Sequence, residues 1–66
     1  MQIILNGEHH ELPEQPRIID LIKQLGLVGQ RLAIEVNGDI VPRSQHAERC
    51  LHEGDRVEIV RAIGGG

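Results

Sequence analysis

The sequence predicts an α+β domain, with one mixed sheet of four to five strands packed on a single main helix. Three observations carry that expectation. Short aliphatic runs, many of them β-branched, recur along the chain and read as strands. Only one stretch, starting at Ile18, has helical spacing. Asn6-Gly7 and Asn37-Gly38 each follow such a run, and Asn-Gly is the strongest short hairpin signal.

In chain order, Gln2 to Leu5 is an apolar run that turns at Asn6-Gly7 and returns as Glu8 to Leu12. The returning strand is polar and suits an edge; Pro13 and Pro16 end it because proline cannot continue a ladder. Ile18, Leu21, Ile22 and Leu25 then stand at i, i+3, i+4, i+7, with Asp20, Lys23 and Gln24 on the other face and Ile19 at the border. Gly26 is placed to close this helix as its C′ residue. Its start is weak, because Arg17 stands where Ser, Thr or Asp would cap.

Gly29 to Arg31 is a connector, and Leu32 to Asn37 is the third strand, with Ile34 and Val36 inward. Asn37-Gly38 turns it into a short partner, Ile40-Val41, which Pro42 terminates. Ser44 to Leu51 is compatible with a turn of helix beginning at Ser44. Glu53-Gly54-Asp55 is a tight turn, and Arg56 to Ile63 is the last strand. The first and last strands can lie parallel as central neighbours, joined through the helix, which is the β-grasp arrangement. Residues 1–63 form that domain, and 64–66 form a glycine tail.

One helix leaves one sheet face open. Along the last strand Val57 and Ile59 face the helix, so Val60 and Ala62 fall on the open face, where Ile4 of the neighbouring strand joins them as a candidate docking patch. A bulge near Val60 would instead turn it inward. Both placements fit the sequence.

At 66 residues the chain is one small domain. A fold of this size buries only about 60% of its unfolded surface, which leaves little room for a deep pocket with a complete catalytic set. There is no Phe, Tyr or Trp, so the core must be Ile, Leu and Val. The net charge of −3 is spread along the chain, and neither a basic block nor an aromatic platform offers itself to nucleic acid. The single cysteine, Cys50, excludes an internal disulfide framework and suits a reducing compartment. No apolar run nears the roughly 20 residues of a membrane span. The opening residues also lack the pattern of a secretory signal. A cytoplasmic location is the expectation.

Candidate chemical groups are few. His9 and His10 are neighbours in a strand and should point to opposite faces, which spoils a shared metal site. His46, Cys50 and His52 lack a zinc-type spacing, so no metal is expected. Cys50 has no evident base and reads as a small packed side chain rather than a nucleophile. A phosphate cradle joins a strand to a helix, whereas the glycines here are terminal.

What remains is the end of the chain. Val57 to Gly66 runs from strand directly into Gly64-Gly65-Gly66. Glycines lacking Cβ can thread a narrow channel, and the Gly66 carboxylate, ionised at neutral pH, can attack a nucleotide phosphate to become an acyl adenylate. The activated carbonyl then accepts a sulfur or nitrogen nucleophile. The chain would supply handle and reach, and a partner enzyme the electrostatic stabilisation.

The whole chain resembles the ThiS family of sulfur carriers, ubiquitin-like β-grasp proteins of thiamine thiazole biosynthesis. The resemblance rests on M-Q-I-I-L-N-G (Met1 to Gly7), I-I-D-L-I-K-Q-L (Ile18 to Leu25), A-I-E-V-N-G-D-I-V-P-R (Ala33 to Arg43), E-G-D-R-V-E-I-V (Glu53 to Val60) and the final A-I-G-G-G. It implies that Gly66 is adenylated by an E1-like enzyme using ATP and magnesium, with Gly65 and Gly64 as an extended stalk. It further implies conversion to a thiocarboxylate with sulfur from a cysteine desulfurase persulfide, and delivery to thiazole synthase. No cofactor would be held permanently, and the chain would be a protein cosubstrate rather than an enzyme. Two departures stand out: many relatives end in two glycines after a larger residue, and Arg17 replaces a frequent hydroxyl before the helix.

Three other readings compete. The small subunit of molybdopterin synthase shares fold, tail and chemistry, but is usually longer and contains aromatic residues. A ubiquitin-like modifier joined to lysines would use the same activated carboxylate. In a purely structural module the glycines would be slack.

Overall fold

The computed structural model describes residues 1–61. Its elements are β1 (Gln2–Leu5), β2 (Glu8–Glu11), α1 (Ile18–Gln24), β3 (Leu32–Val36), β4 (Asp39–Ile40), a 3-10 turn (Arg43–Gln45) and β5 (Arg56–Arg61). The five strands form one mixed sheet in the order β2-β1-β5-β3-β4. β5 lies at its centre, parallel to β1 and antiparallel to β3. This is the β-grasp topology expected from the element order.

Alternation along the strands decides what the helix covers. Ile3, Ile34, Val36, Val57 and Ile59 meet Ile18, Leu21 and Ile22 of α1 in one aliphatic core, and all eight are buried. Leu5 stands at the margin of this cluster, half-buried. Leu12, Val41 and Leu51 close the core from connecting segments. The short edge strand is therefore Asp39–Ile40 rather than Ile40-Val41. Val41 sits beyond it, where its N–H bonds the Ile34 carbonyl and its side chain turns inward.

Both helix ends are resolved by local chemistry and long-range contact. At the C-terminus Gly26 adopts φ +72°. Its N–H donates to the Lys23 carbonyl and the Leu27 N–H to that of Ile22, which is a Schellman closure. At the N-terminus the Asp20 carboxylate accepts the Arg17 N–H at 2.8 Å, half of a capping box that arginine, having no acceptor, cannot complete. The remaining donors find distant backbone: Ile18 N–H reaches the Arg49 carbonyl at 3.0 Å and Ile19 N–H that of His46 at 2.9 Å. The segment after the 3-10 turn thus does the work of the missing cap.

Candidate functional site

The candidate site is the end of β5, and its geometry starts with the two hairpin turns. Asn6 and Asn37 hold φ of 50° and 52°, each followed by a glycine at positive φ, as a two-residue hairpin loop requires. Because β1 and β3 flank β5, both asparagines also border the central strand. The Asn37 Oδ1 accepts the Arg56 N–H at 2.9 Å, its own N–H donates to the Arg56 carbonyl at 2.7 Å, and its Nδ2 donates to Asp55 Oδ1. On the other side the Asn6 N–H donates to the Val57 carbonyl, and its side-chain amide closes on Ile59. In chain order these residues read as turn chemistry alone. The usable signal was that a primary amide offers a donor and an acceptor in one plane, at the ends of both strands expected beside the last one.

β5 is therefore held from both sides up to Ile59, and its register with β3 is continuous from Val36↔Val57 to Leu32↔Arg61. No bulge interrupts it, so Val60 lies on the open face, 62% exposed and opposite Ala33. Ile4 also faces that side, but it pairs with Arg56. Val60 stands four residues further along the strand, about 13 Å away. Arg56 lies beside Ile4, and Glu58 stands between Arg56 and Val60 on the same face, so Ile4 and Val60 are not neighbours there. Ile40, opposite Glu35 and 78% exposed, adds an open-face aliphatic that the sequence reading did not single out. Ala62, Gly64, Gly65 and Gly66 lie outside the described residues.

The histidines and the cysteine are dispersed. His10 faces the helix and its Nε2 meets the Gln24 side-chain oxygen, while His9 pairs with Ile4 on the other face. His46 is buried with Nε2 donating to the Val41 carbonyl at 3.2 Å, which sets its tautomer, since a carbonyl only accepts. Cys50 is exposed, with Sγ 3.8 Å from the Glu48 carbonyl oxygen, and His52 stands beside Asp55. Among the described residues no group of three or more His, Cys, Asp or Glu is placed to hold a metal ion. Nor is any described helix long and apolar enough to cross a membrane.

A five-stranded sheet with a parallel β1–β5 pair at its middle, gripping one helix, defines a ubiquitin-like β-grasp protein. The chain belongs to the ThiS family, whose family model matches residues 3–66. It is 30% identical over 66 residues to the sulfur carrier protein ThiS of Escherichia coli, covering all of both chains. The crystal structure of the thiamine biosynthesis protein ThiS from Geobacter metallireducens superposes with a TM-score of 0.85 at 25% identity, again over the whole of both chains. A thiazole synthase of Paramagnetospirillum magneticum is 36% identical over 66 residues, and there the match takes in all of this chain but only 20% of the longer protein. The chain thus spans about a fifth of the length of that relative.

Proposed function

We propose that this protein is a sulfur carrier for thiazole formation in thiamine biosynthesis, with the Gly66 carboxylate as the group that is activated and loaded. The observation that carries the reading is the end-to-end match to the E. coli sulfur carrier, which aligns all 66 residues with the whole of that protein. The fold supplies a physical rationale. A central strand fastened by Asn6 and Asn37 is a rigid base from which a short glycine segment can be presented to a partner's active site.

In this reading an adenylating enzyme of the E1 type brings ATP and magnesium. A carboxylate oxygen of Gly66 attacks the α-phosphorus, pyrophosphate leaves, and the carbonyl carbon becomes electrophilic. Persulfide sulfur from a cysteine desulfurase displaces AMP, and cleavage of the S–S bond by a thiol leaves the thiocarboxylate. The acceptor is thiazole synthase, a partnership supported by the occurrence of a segment like this chain within a protein of that name. Gly64 and Gly65 serve as the slim stalk through which the carboxylate reaches these sites. The chain is the substrate of its partners, and the cytoplasm is where they would meet.

The deciding experiment is intact mass after incubation with ATP, magnesium, an adenylating enzyme, a cysteine desulfurase and cysteine. The expected result is a gain equal to exchanging one oxygen for sulfur, carried by the C-terminal peptide. An unchanged mass with enzymes shown to be active would defeat the carrier reading. A mass gain on a lysine of another protein would point to a modifier.

A further inference from the structure

Asn6-Gly7 and Asn37-Gly38 are the same dipeptide in the same kind of turn, yet different bonds hold them closed. The Asn6 amide is bonded on both sides to the backbone of buried Ile59. Its turn joins β1 to β2 through four residue pairs, and the Leu12 N–H adds a bond to the Met1 carbonyl. Asn37 is held at the surface. Its Oδ1 accepts the Arg56 N–H at 2.9 Å, and its Nδ2 donates to a side chain, the Asp55 carboxylate, at 3.1 Å. Its turn joins β3 to the two-residue edge strand β4, paired only at Val36↔Asp39 and Glu35↔Ile40. The Val41 N–H adds one bond to the Ile34 carbonyl.

A segment opens locally at a free energy set by the burial and bonds that hold it, so the β3–β4 turn opens more readily than the β1–β2 turn. Asn37 and Gly38 are exposed and line a hollow of about 440 Å³ with Glu35, Arg56 and Glu58, where water reaches both. Once the turn opens, the Asn37 carboxamide is free to meet the Gly38 nitrogen. Glycine puts no side chain in the way of that approach.

We propose that Asn37 is a site of spontaneous deamidation, and that its conversion is a one-way covalent switch that releases the start of β5. The Gly38 backbone nitrogen attacks the Asn37 side-chain carbonyl carbon and gives up its proton as ammonia leaves and a cyclic imide closes. Water then opens the ring at either carbonyl, leaving aspartate or isoaspartate. The net change is water consumed and ammonia released, with no oxidant or reductant. Asparagine donates to Asp55, whereas an ionised aspartate only accepts. Its second oxygen would stand where Nδ2 now is, against a carboxylate whose side chain is only 14% exposed. Two carboxylates at that spacing repel. Asp55 cannot swing aside without losing the His52 N–H, which its Oδ2 accepts at 2.8 Å. Isoaspartate adds a backbone methylene and breaks the two-residue turn. Either product loosens the bonds between Asn37 and Arg56, and the inference stands whether or not the chain carries sulfur.

The test is incubation of the full-length protein at neutral pH and physiological temperature, with peptide mass mapping at intervals and the urea-denatured chain as control. The expected result is replacement of the amide nitrogen by oxygen at Asn37, with the ratio of Asn37 to Asn6 conversion several-fold higher in the folded than in the denatured chain. A folded ratio no higher than the denatured one overturns the site. Asn37→Asp, which installs one product directly, should lower the urea midpoint and accelerate amide exchange at Arg56. In Asn37→Asp/Asp55→Asn donor and acceptor change places, so both effects should largely reverse. Unchanged midpoint and exchange in Asn37→Asp, or no recovery in the double variant, overturns the switch.

Discussion

The side-chain amide of Asn6 is bonded to both backbone groups of Ile59. Its Oδ1 accepts the Ile59 N–H at 2.9 Å and its Nδ2 donates to the Ile59 carbonyl at 3.3 Å. β1 ends one residue earlier, so this amide extends the parallel pairing by one step with side-chain atoms in place of a strand. Among the described residues it is the hydrogen bond of the β1 hairpin that lies furthest along β5.

Asn6→Ala should loosen that end of the strand. Two hydrogen bonds are lost and alanine is strained at φ 50°, so the expected cost is about 1–3 kcal/mol in urea unfolding. Asn6→Gly relieves the strain alone. Amide exchange at Ile59 should accelerate in both variants, and unchanged protection in Asn6→Gly would show that the side chain is dispensable.

Leu21 is fully buried on the helix face that meets the sheet. Truncation to alanine removes its contacts and leaves a cavity in a core that has no aromatic residue to collapse into it. Chemical denaturation should register a loss of about 2–5 kcal/mol. A neutral result would place Leu21 outside the core.

Glu35 and Glu58 stand directly opposite each other on the open face. Like charges in cross-strand register repel, so Glu58→Gln should stabilise the fold by about 0.2–1 kcal/mol. The gain should shrink in high salt. Destabilisation, or a gain indifferent to salt, would mean that the two carboxylates do not oppose each other in solution.

Deleting Gly66 should abolish sulfur loading while the unfolding midpoint stays the same. Cys50→Ser should leave loading intact, since the exposed thiol makes only a weak contact, with the Glu48 carbonyl at 3.8 Å. Loss of loading in Cys50→Ser would move the sulfur from the carboxylate to the thiol, and loading by the truncated chain would show that Gly66 itself is dispensable.

Much of this protein follows from local rules. Period-two and period-3.6 patterns, two Asn-Gly pairs and Gly26 determine the strands, turns and helix end, because each reports backbone preference within a few residues. The ordering of those elements leaves the β-grasp as the economical way to cover one sheet face with one helix. Three matters were decided only by tertiary contact. The helix start lacks a capping side chain and is completed by carbonyls of His46 and Arg49, nearly thirty residues further along the chain. Asn6 and Asn37 become clamps because folding brings β5 between them, and nothing within their own turns announces it. The open-face residues Ile4 and Val60 share parity yet lie at opposite ends of β5, because the parallel register sets Ile4 against Arg56. Alternation states which face a side chain takes; only the pairing of distant strands states which neighbours it meets there.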